Sequence, residues 1–336
     1  GHERTVTMSG LRSLLPEGIE IIPGPGCPVC VCPEEDIRAA IQLALEAGVT
    51  LLAFGDMLRV PVHVARGEAG SLVEARAMGG EILPIASPKD AVAWALDNPD
   101  RQGVFFAAGF ETTMAPVAAM LHQGMPANLS LLLSGRRTWP AVAALLQSDS
   151  PGFDALIAPG HVASVMGGDE WSFVVEQHGI PTAVAGFTAE SLLTAIYSTV
   201  RQIIEERIFL DNCYPQVVRP QGNASARRII DQVFTIVDAP WRGIGVLPQS
   251  GYDISEPFAP FDAAVCHPEV VAAARERRGE MPPGCDCAAV LLGKLIPSRC
   301  RLYGDACTPR HPVGPCMVSD EGACRIWWSG GYGKRS

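Results

Sequence analysis

The stretch "GPGCPVCVCP", residues 24–33, places Cys27, Cys30 and Cys32 within six positions and frames them with glycine and proline. A C-x-x-C pair on so restricted a backbone keeps two sulfurs close, and close thiols either form a reversible disulfide or share a metal ion. So many Pro and Gly residues make poor core, which favours a functional role for Cys27 and Cys30; Cys32 reads as incidental. A second thiol group lies near the end, where Cys285, Cys300, Cys307 and Cys324 follow C-x14-C-x6-C-x16-C through a Gly/Pro-rich stretch. Four soft ligands suit zinc or an iron–sulfur cluster. Zinc prefers two compact C-x2-4-C hooks, so the wide spacing tips slightly toward the cluster. Cys287 and Cys316 fall in the same stretch and leave the choice of four open. Cys213 and Cys266 stand alone and are expected to be buried structural thiols.

Outside the thiols, His2, Asp56, Glu111 and His161 are the acid–base candidates, with Thr112 and Thr113 beside Glu111. Each has a bland alternative. A histidine in "APGHV" can cap a helix, Asp56 can pair with Arg59, and the threonines of "GFETT" can simply start a helix. His63, His122, His178, His267 and His311 read as surface or structural. No "GxxxxGK" loop, no "GxSxG" elbow and no helix-opening "GxGxxG" occurs, so nucleotide binding is unsupported.

What positions these residues is an alternation of short apolar runs with helical periods. Candidate strands are "IEIIPG", "VTLLAFGD", "EILPIA", "GVFFAAGFE", "LSLLLSG", "FDALIAPGH" and "PTAVAGF"; "EEDIRAAIQLALEAG", "PKDAVAWAL", "APVAAMLHQG" and "TAESLLTAIYSTVRQIIEERIF" carry helical spacing. Ser87, Pro88 and Asp90 mark a helix start. The fold class is α/β, expected as two doubly wound parallel-sheet domains plus a Cys-rich, metal-stapled C-terminal region. The polar break "LDNPDRQG" and the stretch "DNCYPQVVRPQGNAS" set the expected boundaries: residues 1–98, 99–212 and 213–336. Loops leaving the carboxyl ends of parallel strands face a common crevice. That rule gathers Cys27, Cys30, Asp56, Arg59, Glu111, Thr112, Thr113 and His161.

The chain has 336 residues, 48% hydrophobic and 18% charged, enough for two or three folded domains. A net charge of -10 with no Lys/Arg run argues against nucleic acid or an anionic membrane surface. Apolar runs end well short of the roughly 20 residues a bilayer requires, so no membrane partner is expected. "GHERTVTMSG" lacks a secretory pattern and does not begin with Met, which points to a fragment or processed chain. Eleven cysteines without an export signal read as metal ligands or redox thiols in a cytoplasmic protein.

Taken together, "GPGCPVCVCP", "FGDMLRVP", "GFETT", "APGHV" and "CRLYGDACTPRHPVGPCMVSDEGAC" resemble the HypD family of hydrogenase maturation proteins, in order and over nearly the whole chain. The resemblance implies a scaffold on which the Fe(CN)2CO unit of nickel–iron hydrogenases is assembled with HypC, cyanide arriving from HypE. It implies a 4Fe–4S cluster on Cys285, Cys300, Cys307 and Cys324, a redox pair at Cys27 and Cys30, and a central cleft lined by the loops of Asp56, Glu111, Thr112, Thr113 and His161. Two departures stand out. The family's Cys-Gly-Gly-His, whose cysteine is the expected iron ligand, is represented here by Gly1-His2, so truncation or an incomplete iron site is expected. Thr188 in "AGFTAE" stands where an acid is expected. The rival readings are a free-standing, cluster-dependent disulfide reductase and a zinc-stapled binding module.

Overall fold

A computed structural model describes residues 1–147, 152–277, 279 and 281–333. Among the described residues, nine strands form three sheets. The first holds β1 (Thr50–Phe54), β2 (Ile82–Ile85), β3 (Gly103–Gly109) and β4 (Leu129–Gly135), all parallel, in the order β2-β1-β3-β4. The second holds β5 (Leu156–Pro159), β6 (Thr182–Ala185) and β7 (Leu210–Asn212), also parallel. A separate antiparallel pair, β8 (Phe234–Trp241) and β9 (Gly245–Ile254), had no counterpart among the expected strands.

The first sheet is covered on both faces, as parallel sheets require. Leu51, Ala53, Val104 and Phe106 point into a core shared with the Glu34–Glu46 helix and the cysteine-rich tail, while Leu52, Phe105 and Ala107 point into a second core under the Glu111–Gln123 helix. This alternation is the period of two that a pleated strand imposes. Asp90 accepts from the Ala86 and Ser87 N–H groups at 2.9 Å each, fixing the start of the Pro88–Asp97 helix where the sequence marked it.

Three expectations change. "IEIIPG" forms no strand: Pro23 and Pro25 remove ladder donors, and the segment runs irregularly into the cysteine turn, so Cys27 and Cys30 do not follow a strand. The polar break at 96–103 does not separate sheets, because β3 pairs with β1 directly after it; the change of sheet falls between β4 and β5. Cys266 is exposed and Cys213 half-buried, so neither is a core thiol.

The two-faced packing has a measurable consequence. Leu52→Ala is expected to cost about 3 kcal/mol, seen as a lower urea midpoint at unchanged slope. A loss below about 1 kcal/mol would mean that this strand face is not packed.

Candidate functional site

Cys27 caps a single helical turn, Pro28–Val31, in which Pro28 brings the preset φ of a first helical position and the Cys30 N–H donates to the Cys27 sulfur at 3.2 Å. The two sulfurs are joined as a disulfide, with Cα atoms 5.3 Å apart. Both residues are buried, so the pair is enclosed by core instead of lining an open crevice. Cys32 lies outside the pair with its sulfur 3.4 Å from the Ser134 hydroxyl. Burial pushes its thiol up to about 12, which leaves it unreactive near neutrality.

Residues 315–321 join the separate parts. Pro315–Met317 packs directly on Pro28–Val31. Ser319 donates to Asp56 Oδ2 at 3.3 Å, and Glu321 lies 3.6 Å from the Gly1 amino group. Arg59 donates to the Pro309 carbonyl at 2.9 Å, tying the Asp56 loop to the tail a second time. Beside Gly1, the His2 ring meets the Ala185 carbonyl at 3.0 Å and stacks on Phe187 at 4.5 Å, while His161 lies on the same ring at 3.9 Å. A side chain at Gly1 would collide with Phe187 at 1.9 Å, so this approach needs glycine. Burial lowers both imidazoles, His2 to about 4, and raises the Asp56 carboxyl against the pull of Ser319.

Glu111 is placed differently. Its two oxygens take the Thr138 N–H and hydroxyl at 2.6 Å each, anchoring the start of the Thr138–Leu146 helix, and burial raises its carboxyl. Thr112 is exposed on the first turn of the helix Glu111 opens; Thr113 packs over Gly109, where a Cβ would come within 2.2 Å. Thr188 caps the Ala189–Ile204 helix by accepting from the Ser191 N–H at 3.2 Å.

In the tail, the Cys287 thiol meets those of Cys285, Cys316 and Cys324, and Cys316 also meets Cys324. Gly314 permits this, since a Cβ there would sit 2.5 Å from the Cys285 sulfur and 2.6 Å from that of Cys287. The Cys287 thiol hydrogen bond brings Cys285 down to about 7 and pushes Cys287 up. The Cys300 sulfur receives the Asp286 and Leu302 N–H groups, and the Cys307 sulfur that of Val313 at 3.4 Å. Among the described residues no group of three or more His, Cys, Asp or Glu side chains has the arrangement of a metal site. The donor chemistry nevertheless suits an iron–sulfur centre: soft thiols, all buried but the half-buried Cys285, backbone N–H groups aimed at sulfur, and a glycine where a side chain would intrude.

The sequence singled out the cysteines, Asp56, His2 and His161, and passed over Ser319, Glu321 and Phe187, which the structure sets beside them. "MVSDEGAC" held the first two in view, but no spacing rule singles out a serine that reaches an aspartate 263 residues away. Phe187 follows β6 as His161 follows β5, and neighbouring parallel strands bring their exits together.

Fold and site define an α/β protein on two parallel sheets, in which a buried disulfide turn and a thiol-rich tail share one core. Comparison with known proteins narrows this class. Residues 1–331 match the HypD family, described as "Hydrogenase formation hypA family". The hydrogenase maturation factor HypD of Azotobacter vinelandii is 39% identical, with 100% of this chain and 88% of that protein covered. A putative hydrogenase expression/formation protein of Methanocaldococcus jannaschii is 38% identical (97% and 89% covered), as is HypD of Escherichia coli (98% and 86%). The chain belongs to the HypD family of hydrogenase maturation factors.

The placement of Glu111 makes a test. Glu111→Ala leaves two buried Thr138 donors without an acceptor and is expected to cost about 3 kcal/mol in urea unfolding. Unchanged stability would show that the carboxylate does not anchor the Thr138 helix.

Proposed function

We propose that this protein is the scaffold on which the Fe(CN)2CO unit of a nickel–iron hydrogenase is assembled in the cytoplasm, working with HypC and receiving cyanide from HypE. The observation that carries the redox part of this reading is the packing of the Cys27–Cys30 turn on Pro315–Met317, which puts a two-electron disulfide against a six-cysteine tail. Cys285, Cys300, Cys307 and Cys324 would hold a 4Fe–4S cluster, which supplies single electrons when bound.

The remaining roles belong to the protein's own side chains. Reduction of Cys27–Cys30 takes two electrons, breaks the S–S bond and frees two sulfurs able to serve the incoming iron unit. Asp56 Oδ2, with its carboxyl raised by burial, holds a proton further into the neutral range than an exposed aspartate. His2 and His161, kept neutral by burial, present ring nitrogens rather than charge to a cargo bearing anionic cyanides. Phe187 keeps the two rings on a common support.

Anaerobic co-expression with HypC tests the assignment. The purified complex is expected to contain about five iron and four sulfide per chain, four iron from the cluster and one from the cargo, and to show infrared cyanide and carbonyl stretches. Cys300→Ala should lose the sulfide. Cys27→Ala combined with Cys30→Ala should keep iron and sulfide yet abolish hydrogenase maturation; intact maturation in that variant removes the disulfide from the mechanism. A colourless, zinc-containing protein without sulfide would instead establish a binding module, and partner-free turnover of disulfides a reductase.

The neutral state of His2 makes a second test. With its folded-state value near 4 against an unfolded 6.5, the unfolded chain binds the extra proton between those values, so the contribution of His2 to stability is present above pH 6.5 and lost as pH falls toward 4. Amide protection across His2–Met8, taken relative to intrinsic exchange at each pH, is therefore expected to fall on acidification, and His2→Phe should flatten that dependence. The same loss of protection in His2→Phe as in the parent would rule out His2 as its source.

A further inference from the structure

Beneath the cysteine turn, three buried arginines meet two buried carboxylates. Glu34 and Asp36 begin the helix that follows the turn. Arg242 Nη2 lies 2.5 Å from Glu34 Oε1 and donates to the Pro61 carbonyl at 2.7 Å; Arg38 is 3.7 Å from Glu34, and Arg136 is 3.4 Å from Asp36. The His63 N–H and the Ser134 hydroxyl complete the carboxylate contacts at 3.0 and 2.7 Å, and the partly exposed Arg275 adds another cation 3.5 Å from Asp36. The buried side chains thus carry one positive charge more than negative.

Arg242 is where that excess is least satisfied. It is 4% exposed, yet its Nε and Nη1 have no hydrogen-bond partner. Its position is also singular. The Arg242 main-chain N–H donates at 3.0 Å to the carbonyl of Val31, the residue between Cys30 and Cys32, and its charge acts on both Cys32 and Cys285. The next residue, Gly243, turns with φ +74°, and a Cβ there would meet Met281 at 2.7 Å and Ala288 at 3.0 Å, on either side of Cys285. The β8–β9 turn is therefore wedged between the disulfide turn and the cysteine tail, with a guanidinium inside it.

Glu34 already meets Nη2 of Arg242, and the arginine's buried, unpaired Nε and Nη1 groups remain unfavourable until a second anion forms nearby. We propose that Arg242 is the charge-balancing residue of the redox turn, stabilising the thiolate that forms when the Cys27–Cys30 disulfide is reduced. This rests on the redox reading given above. In the step, a dithiol reductant delivers two electrons and the S–S bond breaks. One protein sulfur takes a proton and the other remains anionic; the reductant closes to its own disulfide, and its second proton passes to solvent. Arg242 acts on the equilibrium through charge and touches neither reductant nor cargo.

The test is equilibration, at neutral pH, with dithiothreitol mixtures of graded dithiol-to-disulfide ratio, followed by alkylation and mass analysis of the peptide bearing Cys27 and Cys30. Arg242→Met is expected to shift the equilibrium toward the disulfide at least tenfold, about 30 mV for a two-electron couple. Arg242→Lys should recover most of that shift. Glu34→Gln, which removes a neutralising carboxylate, should move it the opposite way, toward the dithiol. Loosened packing alone would not give opposite signs. Variants that match a cycling wild type, or an Arg242→Met and a Glu34→Gln that shift together, overturn the assignment; if Arg242→Met fails to fold, Glu34→Gln alone decides by the direction of its shift. A wild-type pair that stays oxidised at every ratio overturns the redox reading itself, which is a distinguishable result.

Discussion

Burying a polypeptide turn requires that its main-chain donors find acceptors, and the cysteine turn meets this requirement by having few donors. Pro23, Pro25, Pro28 and Pro33 have no N–H to satisfy, and the Gly26 N–H is taken locally by the Gly24 carbonyl at 2.8 Å. Val29, Cys30, Val31 and Cys32 can then go fully into the core. The tail segment that covers them is built alike, with Pro297, Pro309, Pro312 and Pro315 among its cysteines. Two donor-poor segments from opposite ends of the chain can pack in a dry interior where ordinary loops could not. Everything the site does depends on that contact.

This is also the point at which the sequence misleads. A stretch crowded with proline and glycine looks unfit for a core because it cannot form a helix or a sheet, yet the lack of donors that excludes it from regular structure makes it cheap to desolvate. The six strands with clear apolar patterning and the four periodic helices were legible because their signal is local and repeats. β8 and β9 were not: exposed Ile236 and Val246 and a register shift between Val237 and Ala239 break the alternation. The Ile19–Gly24 run failed for the opposite reason, carrying strand-like residues but ending at Pro23, which has no donor, and finding no partner strand. Contacts such as Ser319 with Asp56, or Arg242 with Glu34, depend on the tertiary arrangement, and no periodicity encodes them.

The strand-exit rule separates two acids that look alike in sequence. In the order β2-β1-β3-β4 the chain reverses between β1 and β3, and Asp56 and Glu111 follow those two strands. Glu111 emerges toward the Thr138 helix and both its oxygens are taken there, so its carboxylate serves the junction with the next part of the chain. Asp56 emerges toward the tail, where its long-range partner is one hydroxyl, that of Ser319, at 3.3 Å, beside main-chain N–H groups of its own turn. Position at a switch point nominates a residue; the number of partners already engaged decides whether it remains available.

On the proposed reading, the enclosure of the disulfide bears on how electrons would reach it. Thiol–disulfide exchange proceeds by attack of a thiolate along the S–S axis, so a protein partner must bring its own sulfur into contact with Cys27 or Cys30. With those residues 2% and 0% exposed, such an attack needs the Pro315–Met317 cover to move first. Electrons delivered from within the molecule face no such requirement, because the cysteine tail already lies against the turn. The same cover that slows an external thiol, without changing the equilibrium it finally reaches, leaves an internal donor unhindered, and on the proposed reading this asymmetry favours a maturation scaffold over a free-standing disulfide reductase. The buried positive charge at Arg242 fits the same logic: with water excluded, a new negative charge on sulfur must be met by a group already in place.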